Sequence, residues 1–228
     1  MVEGLVMPEY LAFNEADRAA VYRVMGARRD VRRGFIDRPL PDDVLQRLLA
    51  AAHSAPSVGL MQPSRFIVIR DLAIRTAVHQ IFTEANQKAA ETYQGEQREQ
   101  YDTLKLEGIL EAPQSLCVVC DTQNKRGHKL GRHTMPETAA YSTVCAIQNL
   151  WLAARTEGIG VGWVSILDPV RLRTLLHIPD HILLIAYLCL GFVDHFAAEP
   201  ELERAGWEKR VPVQTAVCYD LYNEDNKS

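Results

Sequence analysis

Four guanidinium groups surround one carboxylate in Arg28-Arg29-Asp30-Val31-Arg32-Arg33, and Gly34-Phe35 follow. In extended backbone alternate side chains share a face, so Arg28, Asp30 and Arg32 project together. Two forked cations on that face match the planar oxygens of a phosphate or the edge of an anionic ring. Asp30 would then lie beside the ligand as a candidate acid or base. The same run also reads as a basic helix end that steadies the C-terminal dipole, with Asp30 merely paired to an arginine.

Other segments carry chemistry more faintly. Ala55-Pro56-Ser57-Val58-Gly59-Leu60-Met61-Gln62-Pro63 offers a hydroxyl and an amide among small residues, as a binding loop or an ordinary connection does. Trp163-Val164-Ser165-Ile166-Leu167 sets one hydroxyl inside an apolar strand, where it needs a hydrogen-bond partner. Gly158-Ile159-Gly160-Val161-Gly162 has glycine spacing reminiscent of a dinucleotide loop, but it follows a helix and precedes a strand, the reverse of the Rossmann order. A tight turn that lets a flat ligand approach the backbone remains open there. Cys117 and Cys120 have CxxC spacing within a strand, which points the two thiols to opposite faces and into the core. His128 and His133 lack a third ligand at a metal-binding spacing.

These residues need elements to hold them. Asn14 with Asp17 marks a helix start, and Ala20, Val21 and Val24 form its apolar stripe. Asp42 is read as the cap of a second helix through Leu45, Leu48, Leu49 and Ala52. Phe66 to Arg70 and Leu116 to Cys120 read as strands. Between them, about Leu72 to Ile109 is polar and helical in propensity, a candidate lid. Glu137 to Arg155 is the strongest helix, apolar around most of its girth through Tyr141, Val144, Cys145, Leu150 and Trp151, and so expected to be central. Gly158 ends it. Val161 to Leu167 and Ile182 to Val193 read as strands, with a short helix from Asp168-Pro169 between them. The tail from Glu199 is loop-like, so residues 199–228 form a C-terminal extension. One α+β domain over 1–228 is the economical architecture.

With 228 residues, 47% of them hydrophobic, the chain can bury a large core. Its net charge of -4 makes the arginine run a local feature and argues against nucleic acid as partner. No apolar stretch reaches spanning length and no secretory signal is evident, so a cytoplasmic protein away from membranes is expected. Five cysteines in a chain this long do not make a disulfide framework.

Taken together, Arg28-x-Asp30-x-Arg32, Ala55-Pro56-Ser57 with Gln62-Pro63, Gly158 to Gly162 and Arg210-Val211-Pro212 resemble, in order, the FMN-binding nitroreductase superfamily. More narrowly, Arg29-Asp30-Val31-Arg32, Ala55-Pro56-Ser57-Val58-Gly59, His133-Thr134-Met135-Pro136-Glu137-Thr138, Gln148-Asn149-Leu150-Trp151 and Gly162-Trp163-Val164-Ser165 resemble the BluB-type 5,6-dimethylbenzimidazole synthases. The likeness covers about Tyr22 to Pro212. It implies a three-layer fold with a mainly antiparallel sheet between helices, a lid insertion, and a homodimer. It implies that reduced FMN is substrate as well as ligand, and that O2 breaks it into dimethylbenzimidazole and erythrose 4-phosphate for the lower ligand of vitamin B12. Reducing equivalents would come from NAD(P)H, through a flavin reductase or the protein itself. Arg28, Arg29, Val31, Arg32 and Arg210 would hold the phosphate and pyrimidine edge. Ser57, Gln62 and Pro63 would meet the ring edge or tail. Val164 and Ser165 would sit near the reactive C4a–N5 region, and Asp30 and Ser165 would be catalytic. Asp30 stands where the wider superfamily has serine. Ser64-Arg65 departs from the tryptophan and small polar residue of the synthases. An NAD(P)H-dependent flavin or nitro reductase that retains FMN, and a non-catalytic FMN carrier, are the other readings.

Overall fold

The structure, a computed structural model, describes residues 13–223; the last five residues of the expected C-terminal extension lie outside that range. A four-stranded antiparallel sheet in the order β1-β2-β4-β3 forms its middle layer, built from Ser64–Ile69 (β1), Gln114–Asp121 (β2), Ile159–Val164 (β3) and Ile182–Phe192 (β4). Alternation along β2 divides the core. Leu116 and Val118 face α2 (Asp42–His53) and α5 (Thr138–Thr156), whereas Cys117 and Val119 face α3 (Leu72–Ala90) and α6 (Pro169–Leu175). Helices on both faces of the sheet make the expected three layers. The two CxxC thiols part as a strand requires, and burial raises the Cys117 thiol to about 12.

Helix α1 (Glu15–Ala27) opens with a capping box in which Asn14 and Asp17 satisfy one another's backbone N–H groups. It buries none of its residues, and Val21, Tyr22 and Met25 are exposed. Asp42 is the first residue of α2 rather than its cap. Pro41 takes the cap position, and Asp42 instead pairs with Arg70.

Helix α5 is central along only one side. Ala146, Ile147, Leu150 and Ala154 are buried on the sheet, while Tyr141, Val144, Cys145 and Gln148 face outward, with Tyr141 54% exposed. The helix is central as expected, but only part of its apolar girth is buried in a single chain, because one sheet face can cover only one side of a helix. The segment expected as a lid contains α3 and α4 (Gly95–Thr103). Val78, Ile81 and Phe82 of α3 are buried, and α4 buries Tyr101 alone.

Candidate active site

The arginine run leaves α1 in extended form and lies along the outer edge of β3, where Asp30 and Val161 make a parallel bridge. Val31 N–H donates to the Val161 carbonyl at 3.0 Å, and the Val31 side chain is buried. This approach depends on glycine. A Cβ on Gly162 would stand 2.1 Å from the Val31 carbonyl oxygen, and one on Gly160 would meet the Val31 and Val193 side chains. The glycine spacing thus admits a neighbouring backbone where a close ligand was envisaged. From the other side α5 holds the run: Trp151 Nε1 donates to the Arg29 carbonyl at 3.1 Å and Arg155 Nε to that of Ala27 at 2.9 Å.

Asp30 is the focus of this arrangement. Its Oδ2 accepts from Arg32 Nη2 at 2.6 Å and Nε at 3.1 Å, and its Oδ1 accepts from the Trp163 N–H at 2.9 Å. Three donors, one pair of them a charge-assisted fork, fix the carboxylate in place. The side chain nonetheless stays 29% exposed, so a ligand can reach it. Arg28, Arg29, Asp30, Arg32, Glu201 and Arg210, with Pro200 and Leu202, line a cavity of about 160 Å³. Burial pushes the Arg28 guanidinium below its ordinary range; Asp30 opposes this, while Arg210 and Arg29 add like-charge repulsion. Four guanidinium groups line the cavity against two carboxylates, and one of these, Glu201, is paired with Arg33; the surplus of positive charge suits an anion with planar oxygens, such as a phosphate.

The members of the run divide the work. Arg28 lies over the Trp151 ring, 4.9 Å from its centroid. Arg32 also reaches the Lys105 carbonyl at 3.4 Å, which brings the end of the 72–109 segment to the site. Arg29 turns aside onto the carbonyls of Gly26 and Arg28, both at 2.7 Å, and onto that of Ala198. Trp151, read from sequence as core, thereby proves to be a support of the site. Nothing in its spacing within an apolar helix distinguishes it from a packing residue.

Ser57, Gln62 and Pro63 line a different and much smaller cavity, with His53 and Ser142. Ser57 Oγ accepts from Gln62 N–H at 3.1 Å, and the Gln62 amide lies 3.1 Å from both His53 Nε2 and Arg126 Nη2. Ser64 bonds to Thr143, and Arg65 folds back onto the Gln62 and Ser64 carbonyls. Val164 and Ser165 line a third cavity of about 210 Å³ with Trp163, Leu172, Leu184 and Tyr187. Ser165 is not buried in a strand as expected. It is exposed just past the end of β3, where Leu167 N–H folds back onto the Ser165 carbonyl at 3.0 Å ahead of α6. Val31 lines a fourth, small cavity together with Arg29, Asp30 and Arg32, so a single chain distributes the candidate residues among four cavities. The two whose volumes are given above both fall short of the roughly 300 Å³ at which ligand pockets begin.

Comparison with known proteins bears on these residues. The model of the nitroreductase family matches residues 25–192. A 5,6-dimethylbenzimidazole synthase of Rhodospirillum rubrum is 48% identical over 185 residues, 81% of this chain and 87% of that protein. Another of the same name, from Rhodobacter capsulatus, is 42% identical over 202 residues, 89% of this chain and 97% of the relative. Among solved structures, an oxidized iodotyrosine deiodinase bound to FMN and 3-iodo-L-tyrosine superposes with a TM-score of 0.69 at 21% identity, covering 89% of this chain and all of that one. At that identity the likeness speaks for the fold.

Proposed function

The chain belongs to the nitroreductase family, and from that premise we propose that it is a 5,6-dimethylbenzimidazole synthase. Reduced FMN is its substrate, and molecular oxygen its co-substrate. The isoalloxazine is dismantled, releasing 5,6-dimethylbenzimidazole and erythrose 4-phosphate for the lower ligand of vitamin B12. The observation that carries this reading is Asp30, a carboxylate held by three donors and lining one cavity with four guanidinium groups. The two relatives bearing the synthase name support it.

The chain's own residues supply binding, orientation and proton handling. Arg28, Arg32 and Arg210 take the phosphate and the pyrimidine edge, each charge-assisted contact worth about 1.5–3 kcal/mol. Arg29 and Val31 keep the run in place. Asp30, aligned by Arg32 and by Trp163 N–H, accepts a proton from the substrate and returns it to a departing fragment. Ser165, exposed two residues beyond Trp163, would serve the reactive edge of the ring with its hydroxyl. Loop 104–108, anchored on Arg32 through the Lys105 carbonyl, belongs to the segment that covers the site and excludes water.

The site is completed in a homodimer. Exposed Tyr141, Val144 and Cys145 on α5 and Val21 and Met25 on α1 leave an apolar face uncovered in one chain. Ser142, which binds the Ser57 loop, and Trp151, which supports Arg28, stand about 14 Å apart along α5. Two copies of α5 packed antiparallel about their exposed middle bring the Trp151 end of one beside the Ser142 end of the other. Arg28 would then meet Ser57, Gln62 and Pro63 of the second copy across one flavin. Reducing equivalents reach the site from NAD(P)H, through a separate flavin reductase or the protein itself. No described helix is long and apolar enough to cross a membrane, and we place the reaction in the cytoplasm.

The test is aerobic incubation of the purified protein with stoichiometric reduced FMN, followed by mass analysis of all fragments. Loss of flavin absorbance with dimethylbenzimidazole among the products is expected. Flavin recovered intact after many turnovers with NAD(P)H would make the protein a reductase instead.

A further inference from the structure

Arg210 lines the arginine cavity from a segment that has little of its own to hold it. Residues 208 to 213 are exposed, and Arg210 lies between the last α-helix, α7 (Glu201–Arg204), and a 3-10 turn at Val213–Ala216. What fixes the segment lies just upstream. Gly206, at φ +72°, closes α7, and Trp207 N–H returns to the Leu202 carbonyl at 2.9 Å. That turn sends the Trp207 ring toward the 72–109 segment. It meets Tyr93 edge-on at 5.4 Å between centroids and Tyr101 at 6.1 Å, and those two tyrosines stack on one another at 4.7 Å. Tyr101 is buried and donates its hydroxyl to Asn86 Oδ1 at 2.7 Å. Gln100 adds a bond to the Ala205 carbonyl at 3.1 Å. At its other end the strap is tied to the arginine run by Arg33–Glu201 at 2.6 Å and by Arg29 on the Ala198 carbonyl.

We propose that Trp207, clasped by Tyr93 and Tyr101, is a positioning residue that sets Arg210 against the substrate phosphate. The strap from Ala198 to Trp207 contributes Pro200, Glu201 and Leu202 to the lining of the cavity and reaches the α3–α4 segment, and Arg210 follows three residues after its last anchor. Aromatic contacts of this geometry add stabilisation beyond area burial. Removing the ring frees the last anchor, so Arg210 loses its aim while Arg28 and Arg32, held by α5 and Asp30, keep theirs. The inference rests on the FMN reading above.

Binding of FMN and of riboflavin, which lacks the phosphate, separates this role from general damage. Flavin fluorescence titration would compare the unmodified protein with Trp207→Ala, Trp207→Phe, Arg210→Ala and the Trp207→Ala/Arg210→Ala double variant. Trp207→Ala should weaken FMN binding about tenfold or more while leaving riboflavin unchanged, as Arg210→Ala should. The double variant should be no worse than Arg210→Ala alone, because coupled residues are not additive. Trp207→Phe should restore most of the affinity. Equal losses for both flavins, additive losses in the double variant, or full FMN affinity in Trp207→Ala would overturn the clasp. Failure of the unmodified protein to fragment bound FMN would count against the synthase reading and leave the FMN-to-riboflavin comparison to decide the clasp.

Discussion

Replacing Gly162 by alanine tests how the acid is held without touching the acid. The new Cβ would lie 2.1 Å from the Val31 carbonyl oxygen, where 3.0 Å is the nearest approach a Cβ tolerates. Backbone must give way by roughly 0.9 Å, since the obstructing atom is main chain and has no rotamer to change. Either the arginine run lifts off the β3 edge or β3 distorts. In both cases the Val31–Val161 bond at 3.0 Å and the Asp30–Trp163 bond at 2.9 Å stretch toward breaking. Overpacking of this kind costs about 1–3 kcal/mol, which for a chain of this length lowers Tm by roughly 2–12 °C. The effect on chemistry should be larger, because a shift of about 1 Å in a catalytic group can cost on the order of 100-fold in rate. Single-turnover conversion of reduced FMN in air, followed by chromatography for dimethylbenzimidazole, reads the second effect, and a thermal melt reads the first. A variant with turnover within about twofold of the parent and an unchanged melt would refute the reasoning.

Asp30→Asn should still bind FMN, since the arginines remain, yet form product about 100- to 10,000-fold more slowly; parental product yield would remove Asp30 from the chemistry. Leu150→Ala, at a fully buried position between α5 and the sheet, should lower stability by about 2–5 kcal/mol in urea titration. An unchanged midpoint would mean the helix does not pack as described. Burial raises the Cys117 and Cys189 thiols to about 12, so both remain protonated and unreactive toward iodoacetamide at pH 8.5. Cys145 is exposed in the single chain, and in the α5-mediated homodimer it should be labelled slowly at high protein concentration and faster on dilution. Rapid labelling at every concentration would argue against that interface.

Local rules carried much of this protein. The capping box at Asn14, the helix breaker after α5, the Asp168 cap of α6 and the long strand through Leu188 all follow from nearest-neighbour physics, and each stands in the structure. The alternation that separates Cys117 from Cys120 is equally local. The arginine run was visible as chemistry because four cations around one acid are electrostatically costly without an anion. Tertiary packing decided the rest. Which face of α5 is covered depends on what the sheet leaves uncovered, and that is a property of the assembled layers. The glycines of β3 disclose their purpose only when Val31 is seen against them. Trp151 and Trp207 look like ordinary apolar residues in the chain, because the partners that give them their roles, Arg29 and the Tyr93–Tyr101 pair, are more than 100 residues away. A side chain's apolarity is written in its own atoms, but the group it orients is chosen by distant segments that only folding brings into contact.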